Sequence, residues 1–111
     1  MTDAILVLTA CASMEEAGRI AAAALEQRLA ACATITPEVR SRFWWQGKLD
    51  AATEVPLTFK TTRDCFAALA ELIGRMHSYE LPEILAVPVE EGSAAYLAWI
   101  NEQTAGSKLL G

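Results

Sequence analysis

The segment from Cys32 to Thr62 restricts the fold more than any other part of the chain. Its first half, "CATITPEVRSRFWWQ", is dominated by β-branched and aromatic residues and is interrupted at Pro37, so it reads as one long, bent strand. "QGK" at Gln46 to Lys48 supplies a hairpin turn. The return segment "EVPLTFKTT" alternates, with Val55, Leu57 and Phe59 on one face and Thr58 and Lys60 on the other. Pro56 places it near an edge or a bulge. A strand running from Cys32 to Gln46 is more than twice the usual length of about 5–6 residues, so its end projects past the sheet of its own subunit. Neighbouring residues of a strand point to opposite faces, which sends Trp44 and Trp45 in opposite directions. Either a second subunit covers one set of aromatics, Phe43 included, or both tryptophans pack within one domain.

The remaining elements fit around this hairpin. "AILVLT" (Ala4 to Thr9) reads as a buried central strand that stops at a polar turn containing Cys11. Ser13 and Glu16 form a capping box, and Ala17, Ile20, Ala24, Leu25 and Leu29 recur at helical spacing, which predicts a helix to about Ala30. Asp64 is placed to cap a second helix whose Phe66, Leu69, Ile73 and Met76 form one stripe. That helix ends near "RMHSYELPEI", which holds the single histidine of the chain. "ILAVPV" (Ile84 to Val89) predicts a fourth strand, and Ser93 opens a last helix carrying Tyr96, Leu97 and Ile100. The order βαββαβ plus a C-terminal helix is the α+β, ferredoxin-like pattern. Its two right-handed crossovers place both helices on one face of a four-stranded antiparallel sheet. One domain over residues 1–104 is expected, followed by a patternless tail at 105–111.

A chain of 111 residues builds one core, and a hydrophobic content of 53% is high for that size, which suggests buried subunit contacts. No apolar run approaches the roughly 20 residues that span a bilayer, and no signal-peptide pattern opens the chain, so a cytoplasmic protein is expected. A net charge of −5 disfavours nucleic acid and anionic membrane, because neither polyanion gains counterion-release energy from such a surface. Cys11, Cys32 and Cys65 are odd in number, widely spaced and form no CxxC pair, which indicates reduced thiols. Cys32 and Cys65 sit among apolar residues, where a thiol acts as a small hydrophobe, whereas Cys11 falls beside turn chemistry.

Several motifs converge on one family. "LAACATI", the "WQGK" turn, "TEVPLTFKTT" and "HSYELPEILAVPVEEGSAAYLAWI" closely resemble the CutA divalent-cation tolerance family, at the family's spacing and over roughly Ala4 to Gln103. The resemblance implies a ferredoxin-like subunit in a homotrimer related in architecture to PII signalling proteins, with long strands pairing between subunits. Where members often carry T-C-P, this chain has Ala10-Cys11-Ala12; where H-P-Y-E is common, it has His77-Ser78-Tyr79-Glu80. The resemblance also implies copper or another divalent cation, with His77 among the ligands. Leu8 stands where some members place a cysteine, and it cannot ligate metal.

Copper and zinc suit imidazole with thiolate or carboxylate, so His77, Cys11 and Glu83 or Glu80 form a sensible metal set if folding joins them. A single histidine without a preformed cluster supports micromolar-range binding at most, on the order of 8 kcal/mol. Each residue also has a plainer reading. His77 suits the last carbonyls of a helix, Cys11 an exposed turn, and Glu83 a hydrogen-bond acceptor at a strand start. Trp45 and Tyr79 either line an intersubunit cleft that takes a small-molecule effector or form interface core. Lys60 either contacts an anionic ligand in that cleft or is solvated. No Gly-rich phosphate loop, Ser/His/Asp arrangement or HxxxH pair supports an enzyme. An acylphosphatase-like hydrolase shares the subunit fold, but fold alone is an analogy.

Overall fold

The computed structural model describes residues 2–104, so the tail at 105–111 lies outside the described residues. Eight elements follow in order: β1 (Ala4–Cys11), α1 (Met14–Glu26), β2 (Cys32–Ile35), β3 (Val39–Trp45), β4 (Lys48–Thr62), α2 (Phe66–Met76), β5 (Leu85–Pro88) and α3 (Ala94–Gln103). The antiparallel sheet runs β2-β4-β1-β5, and β3 pairs with the far half of β4. That order is the ferredoxin-like arrangement, with α1 and α2 against one face.

Alternation along β1 and β4 decides where the core lies. Ile5, Val7 and Cys11 of β1 and Val55, Leu57 and Phe59 of β4 are buried against Ala17, Ile20 and Ala24 of α1 and Leu69, Leu72 and Ile73 of α2. Leu6, Leu8 and Ala10 of β1 and Thr58 and Lys60 of β4 occupy the opposite, open face and are only partly covered. α3 meets this face beside Lys60, whose Nζ lies 5.5 Å from the centre of the Tyr96 ring.

The expected single strand from Cys32 to Gln46 is two strands. Ile35 pairs with Leu57 and Val39 with Glu54, so four steps on one side match three on the other. One extra residue around Pro37 forms a bulge, anchored by the Thr36 N–H donating to the Pro56 carbonyl at 2.9 Å. Proline lacks the N–H that a continuous ladder requires, which accounts for the break falling there. The overlong strand is therefore its partner β4, with 15 residues. Gln46 and Gly47 turn the hairpin with φ of 50° and 81°.

Three element boundaries also differ from expectation. α1 stops at Glu26 because Arg28 takes a left-handed conformation, φ 59°, that turns the chain toward β2; Leu29 and Ala30 remain buried beyond it. Asp64 does not cap α2; a 3-10 turn over Arg63–Cys65 leads into the helix without a side-chain cap. β5 is shorter than Ile84 to Val89, and it is an exposed edge strand. Ser93 caps α3 as expected, accepting from the Tyr96 N–H at 3.2 Å.

Candidate metal centre and adjoining cleft

Cys11 ends β1 facing the helices, and its thiol is fully buried. The expected exposed turn thiol is thus corrected, because the strand continues two residues past Thr9. α1 begins three residues later. The Ser13 hydroxyl accepts from the Glu16 N–H at 3.1 Å, the forward half of the capping box. The return half is displaced: Glu16 Oε2 accepts from the Ala12 N–H at 2.8 Å, and Oε1 reaches across to the Ser78 N–H at 2.7 Å. Glu16 is only 4% exposed.

His77 follows the last residue of α2, and its backbone N–H closes the helix on the Ile73 carbonyl. Its ring turns inward and is 9% exposed. Nδ1 lies 3.1 Å from the Tyr79 N–H, which only donates, so Nδ1 accepts. Nε2 therefore carries the proton and donates to the Ala10 carbonyl at 2.8 Å. The Tyr79 ring leans on the imidazole with centroids 4.7 Å apart. Two of these hydrogen bonds, Ser78 to Glu16 and His77 to Ala10, thus join the turn after α2 to the end of β1 and the start of α1.

Cys11, Glu16 and His77 place a sulfur, a carboxylate oxygen and a ring nitrogen within 4.8 Å of one another. The sequence pairs Cys11 with His77 and offers Glu83 or Glu80 as the carboxylate, and both of these line a separate cleft. Glu83 is exposed, and Glu16 supplies the carboxylate of the cluster. The capping-box motif marked Glu16 as a helix-start residue, and no further sequence signal assigned it a second role.

This donor set suits a borderline divalent cation in kind and needs adjustment in detail. Tetrahedral ligands at zinc or copper bond lengths stand about 3.3–3.8 Å apart, so the three atoms must draw closer. The imidazole must release one backbone partner. Burial, then the carboxylates of Glu16 and Glu54, push the Cys11 thiol up to about 11, so it is protonated at neutral pH. Burial also pushes the Glu16 carboxyl up, but the hydrogen bonds from Ala12 and Ser78 and the neighbouring His77 outweigh it and hold it below the usual 4.5. The cluster is a metal-capable joint whose donors are already engaged by the protein.

Beside it opens a cleft of about 680 Å³ on the open face of the sheet. Ser41, Phe43 and Trp45 of β3 project from the same face as Asp50, Ala52 and Glu54 of β4, and the segment Ser78 to Glu83 forms the opposite wall. Tyr79 belongs to that wall. Burial, then a hydrogen bond to Glu54 and the charge of Glu54, push its phenol up to about 12. Trp45 and Tyr79 thus line the same cleft, and Trp44 points away, 71% exposed. Lys60 is not in the cleft; it stands toward α3, under Tyr96.

The model of the family described as CutA1 divalent ion tolerance protein matches residues 5–103. The divalent-cation tolerance protein CutA of Archaeoglobus fulgidus is 48% identical over 90 residues, covering 81% of this chain and 87% of that protein. Two solved structures share the architecture. The periplasmic divalent cation tolerance protein CutA of A. fulgidus superposes with a TM-score of 0.88 at 42% identity, covering 91% of this chain and 98% of that one. CutA of Xylella fastidiosa gives 0.90 at 35% identity, covering 93% and 99%. With the fold, the hairpin and the match over nearly the whole chain in agreement, the protein belongs to the CutA1 divalent ion tolerance family.

Proposed function

We propose that this chain is a non-enzymatic divalent-cation tolerance protein that binds Cu(II) or Zn(II) weakly through Cys11, Glu16 and His77 and works as a homotrimer. The observation that carries the metal reading is the convergence of three donor types at one buried joint. Because each donor is already hydrogen-bonded or protonated, ligation costs the protein a backbone bond and a thiol proton, and the affinity is micromolar rather than structural. The same engagement argues against a cysteine hydrolase. A thiol raised to about 11 is a poor nucleophile at neutral pH, and an imidazole with both nitrogens bonded to backbone is no base for it. Trimerisation is supported by apolar side chains open to solvent in the single subunit, including Trp44, Leu49, Leu85 and Val87. Cys11, Cys32 and Cys65 form no disulfide with one another, which suits a reducing cytoplasm.

Calorimetric titration with Cu(II) tests the metal reading. Cys11→Ser and His77→Ala are expected to lower affinity by at least about tenfold each, about 1.4 kcal/mol. Unchanged affinity in both removes the site. Light scattering that finds a stable 12.0 kDa monomer removes the trimer. A second reading, a signalling module with a small-molecule effector in the cleft, is favoured by Trp45 and Tyr79 lining the same cavity.

A further inference from the structure

The cleft between the β3–β4 hairpin and the segment Ser78 to Glu83 has a chemistry that the copper reading leaves unused. Four carboxylates line it, Asp50, Glu54, Glu80 and Glu83, against one guanidinium, Arg42. Among the described residues Arg42 forms no ion pair with any of them. Carboxylates alone would mark only a solvated surface. Here they alternate with aromatic walls: Phe43 and Trp45 rise from the floor, Tyr79 closes the side, and the small Ala10 and Ala52 leave the volume between them empty.

We infer that this cleft takes a small organic cation, an amine or guanidinium carried on an apolar body. The inference rests on the effector reading above and supplies its ligand class. An anion is disfavoured by the excess of carboxylates. A bare divalent cation is disfavoured because the carboxylates are spread between the hairpin floor and the opposite wall. Among the described residues the donors that do converge are Cys11, Glu16 and His77, none of them one of these four. Hard cations require six or more oxygens gathered at about 2.0–2.6 Å, and they gain nothing from ring faces. A delocalised or alkylated cation gains from both, through the ring quadrupoles and through diffuse negative charge at longer range. The volume, about 680 Å³, lies within the range of small-molecule sites.

The experiment titrates the intact protein at low ionic strength with benzylammonium, and in parallel with benzyl alcohol and benzoate, which keep the body and change the charge. Benzylammonium is expected to bind saturably, at least about tenfold tighter than either analogue. The double variant Glu54→Gln, Glu83→Gln should lower its affinity by about tenfold. Ala52→Leu, which fills the floor without changing charge, should abolish binding while light scattering stays that of the wild type. Equal binding of benzyl alcohol, or preference for benzoate, overturns the cation inference and leaves the cleft a ligand site. Binding of none of the three overturns the inference and the effector reading together. A changed assembly state in Ala52→Leu with benzylammonium binding intact shows a subunit interface there and also refutes the inference.

Discussion

Removing the Glu16 carboxylate tests the idea that a buried, hydrogen-bonded anion holds the two turns together. The carboxylate accepts from Ala12 at 2.8 Å and Ser78 at 2.7 Å, and hydrogen bonds to a charged group contribute about 1.5–3 kcal/mol each. Glu16→Gln keeps one acceptor oxygen but turns an NH₂ toward the other N–H, so about 2–3 kcal/mol should be lost. Glu16→Ala leaves both N–H groups unpartnered at a site with little solvent, and about 3–5 kcal/mol is expected. Against a typical total of about 5–15 kcal/mol, either loss is large. The pH dependence separates charge from shape. The Glu16 carboxyl titrates below its ordinary 4.5 in the folded protein, so its contribution is complete above 4.5 and disappears as pH falls through the lowered folded value. Denaturant unfolding of wild type and Glu16→Gln at matched protein concentration should show a gap that is constant from pH 8 down to about 5 and shrinks in more acidic buffer. A gap independent of pH, or one that widens on acidification, refutes the reasoning.

Other consequences are simpler to test. Thr9 is 2% exposed and among the described residues its hydroxyl has no hydrogen-bond partner, so Thr9→Val should stabilise by about 1 kcal/mol in thermal or denaturant unfolding. Phe59 is fully buried at the centre of the core, and Phe59→Ala should cost about 3–5 kcal/mol; a loss below 1 would contradict its placement. Native thiol titration should find one readily modified cysteine, absent in Cys32→Ser, because Cys11 and Cys65 are both buried and the Cys11 thiol is raised to about 11. Gly47→Ala, at a φ of 81°, should destabilise the hairpin by about 1 kcal/mol.

The sequence by itself determined the element order and the face that each central strand and helix buries, because those follow from local periodicity. Val55, Leu57 and Phe59 alternate into the core, and the stripe along α1 is legible at three- and four-residue steps. Cap signals at Ser13 and Ser93 were also local and matched the structure. What lay beyond reach depended on partners distant in the chain. Glu16 announced itself as a capping residue, but its second bond goes to Ser78, 62 residues away, and no local pattern encodes that neighbour. Glu83 and Glu80 stand near His77 in sequence, which says little about proximity in space. The overlong strand was read on the wrong arm of the hairpin, since β-rich composition marks Cys32 to Gln46 while "KLDAATE" gives little strand signal of its own and becomes strand by pairing with β3. The bulge at Pro37 decided the rest. One inserted residue reverses which side of the ribbon each later side chain faces, so it turned Phe43 and Trp45 toward Glu54 and the cleft and left Trp44 outside.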